Sequence, residues 1–201
     1  MNLPNKITTF RMFCVIVIDF ILLFPWSDCG VTMPVLFGHI SLEYFISAIL
    51  FLIASFSDFL DGYLARKYNL VTTYGKFMDP IADKLLVDTV VIIMAIKAPN
   101  LVPPVVAVIM IARDLLVDAL RQVASTKGVV LAANIWGKLK TVVQMVALTF
   151  ALLCDWPFAL INLPISITSI ICYVAGIVSL LSGVLYFTKN LVVFNDKEKK
   201  E

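Results

Sequence analysis

Four aspartates, spaced in two pairs, are the residues of this chain best suited to chemistry. Asp58 and Asp61 lie three residues apart and Asp79 and Asp83 lie four apart, so each pair shares one face of a helix. Carboxylates gathered near a membrane boundary need a counter-charge, because burying an unpaired one is costly. An all-oxygen set favours Mg²⁺ or Mn²⁺. The pattern therefore predicts a metal site of these four residues, and two ions about 3.5–4 Å apart commonly assist displacement at phosphorus.

The competing explanation for these aspartates is structural. Carboxylates at helix ends can cap the helix or pair with neighbouring cations, and Arg66, Lys67 and Lys76 are close in sequence. That explanation suits one or two aspartates. Four of them, at the facing ends of two helices joined by a short connection, favour a shared site.

The composition indicates where these residues must sit. Of 201 residues, 61% are hydrophobic and 15% are charged, whereas a soluble domain is about 45–50% apolar and about 25% charged. Six apolar stretches approach the roughly 20 residues that cross a bilayer. The sequence predicts one all-α integral membrane domain, 1–201, with six transmembrane helices and a short N-terminal interfacial segment. The predicted spans lie near 12–24, 40–64, 76–97, 101–124, 132–154 and 164–187.

Basic residues fall in alternate connections between the predicted spans. Lys and Arg stay on the cytoplasmic side of short loops, and with the N-terminus inside only Lys97 would lie outside. We therefore expect a multi-pass protein of the cell membrane with both termini and the active site cytoplasmic. Residues 1–10 are too short and polar to cross, so they are expected to lie along the inner interface.

The two aspartate pairs belong to a longer pattern. DxxDGxxAR at 58–66, followed after eight residues by GxxxDxxxD at 75–83, resembles the signature of the CDP-alcohol phosphatidyltransferases, with every fixed position matched. The resemblance implies six spans, a homodimer, and transfer of a phosphatidyl group from a CDP-linked lipid to an alcohol with release of CMP. It also implies a divalent metal cofactor, expected to be two Mg²⁺ or Mn²⁺ ions.

The resemblance also implies roles for single residues. Asp58, Asp61 and Asp79 would be metal ligands, and Asp83 would be a ligand and the candidate general base, although a role as ligand alone stays open. An NxxTxxR element ending at Arg11 also resembles the family and is expected to cover the nucleotide. The residues expected to bind CDP-diacylglycerol are Asn5, Thr8, Asp58, Asp61, Gly62, Arg66, Thr72 and Gly75. Glycines let backbone and diphosphate approach closely, and an arginine offers a planar fork to phosphate oxygens.

A group of cations follows the aspartates along the chain. Arg113 and Arg121 lie eight residues apart, about two helical turns and so roughly on one face, and Lys138 and Lys140 open the fifth span. On the same cytoplasmic surface they would bind the phosphate of an anionic acceptor; anchoring to anionic headgroups is the alternative. The stretch GKxKTxxQ at 137–144 resembles the branch of the family whose acceptor is sn-glycerol 3-phosphate.

The predicted reaction therefore joins CDP-diacylglycerol and sn-glycerol 3-phosphate, giving phosphatidylglycerophosphate and CMP within a membrane of lipids. The same chemistry with inositol phosphate or phosphatidylglycerol as acceptor is an alternative. A small cation transporter is another, but it would place its carboxylates near the bilayer midplane. A non-catalytic assembly subunit would have lost a motif residue, and none is lost. No nucleic-acid partner is expected.

Overall fold

The computed structural model describes residues 2–68, 72–128, 131, 135–161 and 164–190, and six α-helices make up most of this described part. The helices, α1 to α6, are Leu3–Leu23, Leu42–Lys67, Thr73–Lys97, Pro104–Thr126, Ile135–Leu152 and Ile167–Lys189. Two short strands, β1 and β2, are Val35–Leu36 and Ile40–Ser41. A 3₁₀ turn, Phe158–Ile161, lies between α5 and α6.

The first helix begins before the predicted first span, so residues 3–10 are not a separate element. Their position at the membrane interface stays a prediction. α1 runs without interruption from Leu3 to Leu23. Its one proline, Pro4, lies in the first turn, where the missing backbone N–H is not needed. Residues 3–10 therefore continue the helix, and the polar side chains on one of its faces are buried within the bundle.

The connection between α1 and α2 departs from the all-α prediction. β1 and β2 pair antiparallel, with Val35 opposite Ser41 and Leu36 opposite Ile40. The turn between them contains Phe37 and Gly38 at φ 52° and 73°, a conformation that glycine adopts at little cost. The Phe37 ring stacks on Trp156 with centroids 5.4 Å apart, so the hairpin packs against the α5–α6 connection.

Three helices in the described part of the chain are long and apolar enough to cross a membrane. They are Leu42–Leu64 in α2, Ile135–Leu152 in α5 and Ile167–Lys189 in α6. The charged side chains of α1, α3 and α4 include several of the candidate site residues. A membrane protein of mostly helical structure is thus supported, and crossing by all six helices stays a prediction.

The packing of the helices divides the bundle into two groups of three, α1 to α3 and α4 to α6, joined by contacts of α2 with α5 and of α3 with α4 and α5. α1 packs against α2 and α3, and α6 packs against α4 and α5. The fully buried core side chains include Ile18, Phe51, Leu86, Met94, Met110, Leu148 and Leu152. Many large apolar side chains on the outer faces are exposed, as expected of helices that contact lipid. One polar cluster lies where α1, α2 and α3 meet, and another where α4, α5 and α6 meet.

Candidate active site

A row of polar side chains on α1 faces the polar cluster where α1, α2 and α3 meet. Asn5, Thr8 and Arg11 are spaced three residues apart, close to one helical turn, so they lie along one side of the helix. All three are buried. Because this side of α1 packs against α2 and α3, the row enters the space between the two aspartate pairs.

Arg11 binds both aspartates of the first pair. Its Nη1 donates a hydrogen bond to Asp58 and its Nη2 donates one to Asp61. The side chain of Arg11 is 0% exposed and that of Asp61 is 3% exposed, whereas Asp58 is 36% exposed. The predicted shared face of Asp58 and Asp61 is therefore present, and a cation of the chain itself lies on it.

Thr8 links the first aspartate pair to the second. Its hydroxyl oxygen lies 2.6 Å from Asp79 Oδ1 and 3.4 Å from Asp61 Oδ2. With a single proton, the hydroxyl donates to the nearer Asp79. We call Asp58, Asp61 and Asp79, with Arg11 and Thr8, the acidic cluster.

The start of α3 closes one side of the acidic cluster. Thr72 caps this helix by accepting from the backbone N–H of Gly75 at 3.0 Å, and its hydroxyl donates to Asn5 Oδ1 at 2.8 Å. A Cβ on Gly75 would lie 3.3 Å from both of these side-chain oxygens and 3.6 Å from Asp79 Oδ2. Glycine at this position thus keeps open the corner where Asn5, Thr72 and Asp79 meet.

Asp83 is close enough to both groups of charged residues to be influenced by each of them. The charges that act on it are those of Asp58 and Arg11 and those of Lys140 and Asp114. Its Oδ1 is buried and has no hydrogen-bond partner among the described residues. An unsatisfied buried carboxylate oxygen often marks a functional position.

The two remaining residues predicted to bind the nucleotide lie on α2. Gly62 directly follows Asp61 and is half-buried. Arg66 lies four residues further along the same helix, but its side chain is outside the described part of the structure. Its expected contact with the donor diphosphate stays a prediction.

The carboxylates have the right chemistry for a hard divalent cation, but they are not arranged around one point. Across the described residues, no three or more His, Cys, Asp or Glu side chains are placed to hold a metal ion. The guanidinium of Arg11 instead occupies the position between Asp58 and Asp61. The predicted ligands are thus neighbours without forming a coordination sphere.

Two of the predicted acceptor-binding cations share one aspartate. Asp114 accepts from Arg113 Nη1 at 2.9 Å and from Lys140 Nζ at 2.5 Å. We call Arg113, Asp114 and Lys140 the basic cluster. Asp114 was missed in the sequence, although an acidic residue inside an apolar helix indicates a buried partner.

Arg113 is held in place by contacts on two further helices. Its Nη2 donates to Ser182 Oγ of α6 at 2.7 Å. A Cβ on Gly183 would lie 2.8 Å from Arg113 Cγ, and one on Gly137 of α5 would lie 3.9 Å from its Nη2. The absence of a side chain at Gly183 therefore makes room for the arginine.

The other two predicted acceptor-binding cations lie apart from this cluster. Arg121 Nε donates to the hydroxyl of Tyr186 at 3.2 Å, and its guanidinium carbon lies 5.4 Å from the centre of that ring. Lys138 is exposed on α5. The structure thus brings Arg113 and Lys140 together and leaves Arg121 and Lys138 outside their shared contact.

Comparison with known proteins identifies the family to which this chain belongs. A family model described as CDP-alcohol phosphatidyltransferase matches residues 1–185, which contain both clusters. The CDP-diacylglycerol–glycerol-3-phosphate 3-phosphatidyltransferase of Bacillus subtilis is 42% identical over 94% of this chain and 95% of its own length. Enzymes of the same name from Rickettsia typhi and Wigglesworthia glossinidia are 40% and 35% identical over 92% and 93% of this chain, and over 95% and 93% of their own lengths. The chain therefore belongs to the CDP-alcohol phosphatidyltransferase family of enzymes.

Proposed function

We propose that the chain transfers the phosphatidyl group of CDP-diacylglycerol to sn-glycerol 3-phosphate, which makes it a phosphatidylglycerophosphate synthase of phospholipid biosynthesis. The relatives described above carry this activity in their names. The observation that supports it best is Asp83, whose buried Oδ1 has no partner among the described residues and which is influenced by charges of both the acidic and the basic cluster. One cluster suits a metal-bound diphosphate, and the other suits an anionic acceptor.

The donor half of the site is the acidic cluster with the start of α3. Asp58, Asp61, Asp79 and Asp83 would hold the divalent metal on which this family generally depends. When bound, the metal would supply positive charge to the donor diphosphate. In our proposal Asn5, Thr8, Gly62, Thr72 and Gly75 line the nucleotide, with Arg66 directed to the diphosphate.

The acceptor half of the site is the basic cluster. Lys140 and Arg113 would bind the phosphate of sn-glycerol 3-phosphate, and charge-assisted contacts of this kind are short and directional. Bound there, the acceptor would bring a hydroxyl toward Asp83, which lies within the field of Lys140. Free glycerol has no phosphate for these cations to bind.

The transfer then proceeds with Asp83 accepting the proton of the acceptor hydroxyl. The acceptor oxygen forms a bond to the phosphorus that carries the diacylglycerol. The bond from that phosphorus to the bridging oxygen breaks, and CMP leaves with that oxygen. If Asp83 is a ligand only, the proton passes to solvent and the bonds made and broken are the same.

We propose that the chain crosses the membrane six times with both termini cytoplasmic. We also propose that it forms a homodimer, as its resemblance to the family implies. In a bundle of alternating direction, the ends on one side are the starts of α1, α3 and α5 and the ends of α2, α4 and α6. Most candidate site residues fall toward these ends, and Arg113 lies near the middle of α4. This distribution supports a site open to one membrane face and is less suited to a transporter. Exposed Cys29, in the α1–α2 connection, should react with an impermeant reagent outside intact cells, and a Ser125→Cys probe should not.

The reaction is tested with purified protein, CDP-diacylglycerol and Mn²⁺ or Mg²⁺. CMP release is compared for sn-glycerol 3-phosphate, inositol phosphate, phosphatidylglycerol and glycerol, and the lipid product is identified by mass. We expect CMP release in step with phosphatidylglycerophosphate, and only background release with the other three. Equal release with another acceptor would contradict the proposed acceptor.

A further inference from the structure

The buried state of Arg11 is unusual for an arginine at a polar site. Its guanidinium is fully buried and contacts two carboxylates of α2. Its Nε is also buried and has no hydrogen-bond partner among the described residues. Burying a charge with one donor unsatisfied is costly, so the environment of Arg11 is not that of a fully satisfied structural ion pair.

Among the described side chains, the charges around Arg11 do not balance. One guanidinium lies among Asp58, Asp61 and Asp79, because Thr8, which contacts Asp79, brings no charge. Asp58 is partly exposed, so an ion from solvent can reach the cluster beside Arg11. The cluster therefore keeps the capacity to attract a further cation.

The position of Arg11 conflicts with a metal bound to the same carboxylates. A divalent ion on Asp58 and Asp61 would repel a guanidinium held on those side chains, and in the described part of the chain no three acidic side chains converge on one point. Arg11 thus lies where the aspartates require a cation. Unlike a divalent metal ion, it carries a single charge and cannot coordinate a substrate oxygen.

We propose that Arg11 is an exchangeable internal cation: it neutralises Asp58 and Asp61 when no divalent ion is bound, and it leaves them when one binds. This inference rests on the proposed metal site. Arg11 lies one turn from Thr8 and two from Asn5, which contact Asp79 and Thr72. Metal binding therefore also alters how the start of α1 sits on α3, on the side where the nucleotide is expected.

The first test measures Mn²⁺ affinity in full-length purified protein without substrate, from the electron paramagnetic resonance signal of free Mn²⁺. Arg11→Gln removes the charge, and Arg11→Lys is the matched control that keeps it. We expect Arg11→Gln to bind Mn²⁺ at least about tenfold more tightly than wild type, equal to about 1.4 kcal/mol, and Arg11→Lys to stay within about threefold. Unchanged or weaker binding by folded Arg11→Gln would overturn the exchange.

The second test uses wild-type protein alone and so does not depend on the variant folding. Phenylglyoxal modifies accessible arginines, and the modified residues are located by mass spectrometry. Arg11 should be protected in EDTA and should react at least about fivefold faster with saturating Mn²⁺, whereas exposed Arg121 should react equally in both. Equal protection of Arg11 in both conditions would contradict the proposal.

The two tests also separate this inference from the proposed reaction. Mn²⁺ binding that is unaffected by Arg11→Gln, together with normal CMP release, would remove the exchange and leave the function intact. A wild-type protein that binds no Mn²⁺ would overturn the metal site and the exchange together. If only the comparison of acceptors by CMP release failed, the metal site and the exchange of Arg11 would both remain supported.

Discussion

The acidic and basic clusters have opposite charge, and each contains one internal ion of the other sign. In the acidic cluster that ion is Arg11, which comes from α1 and is fully buried against two aspartates of α2. In the basic cluster it is Asp114, which neighbours Arg113 on α4 and reaches Lys140 of α5. Both clusters are therefore partly neutralised before any ligand arrives.

The difference between the clusters is in how their internal ions are held. Arg11 separates carboxylates that a metal would draw together. Its Nε, like that of Arg113, is buried without a hydrogen-bond partner among the described residues. Asp114 has a partner on each carboxylate oxygen, and its partner Arg113 is fixed further by Ser182. We infer that the acidic cluster must rearrange to bind its ligand, whereas the basic cluster is already formed.

The largest effect should come from the acidic cluster. Asp58→Asn, Asp61→Asn or Asp79→Asn removes a charge that the proposed metal needs, and CMP release should fall by more than about a hundredfold, the scale for losing one electrostatic contact in a transition state. EDTA should abolish activity reversibly. Asp28→Asn, in an exposed loop, is the matched control and should leave the rate unchanged. Full activity in EDTA would contradict the metal site.

The next effect should come from the basic cluster. Arg113→Ala should remove a charge-assisted contact to the acceptor phosphate, worth about 1.5–3 kcal/mol. The kcat/KM for sn-glycerol 3-phosphate should fall about tenfold to a hundredfold, at about 1.4 kcal/mol per decade. The KM for CDP-diacylglycerol should change by less than about threefold. A larger change in the donor KM than in the acceptor KM would show that the two clusters are not separate in function.

A smaller effect should follow from moving Arg113 without removing it. Gly183→Ala places a Cβ 2.8 Å from Arg113 Cγ, so the arginine must shift. We expect kcat/KM for the acceptor to fall by about tenfold, since small misplacements are costly to catalysis. Gly176→Ala is the control on the same helix, because the atoms nearest its Cβ belong to Val106 and not to Arg113. It should change thermal stability and leave acceptor kinetics unaltered.

The smallest effect is expected from the two cations outside the basic cluster. Lys138 is exposed, and Arg121 contacts Tyr186 of α6. Their alanine variants should change the acceptor kcat/KM by less than about threefold, as for exposed charges worth about 1 kcal/mol or less. A tenfold loss in Lys138→Ala would extend the acceptor site to the surface of α5.

The aspartate pairs could be predicted from the sequence because their spacing determines which helix face they share. The position of Arg11 could not be predicted, because it depends on how the start of α1 packs against α2. These two segments are far apart in sequence. The burial of Asn5 and Thr8 depends on the packing of the same segment and was not predicted either. Local composition shows that residues 3–10 are polar but not which surface buries them.

Asp114 illustrates a second limit of the sequence. Neighbouring residues in a helix do not normally face each other, so its adjacency to Arg113 gave no indication of a pair. Lys140, contributed by another helix, completes the contact. The β1–β2 hairpin was missed because each strand has only two residues, too few to show alternation.

The central claim is that the basic cluster recognises the phosphate of the acceptor, and one comparison tests it most directly. CMP release is measured with sn-glycerol 3-phosphate and with glycerol, for wild type and for Lys140→Ala. We predict that wild type strongly prefers the phosphorylated acceptor and that Lys140→Ala reduces this preference by at least about tenfold, with the donor KM little changed. A preference that is unchanged in Lys140→Ala, or absent in wild type, would contradict the claim.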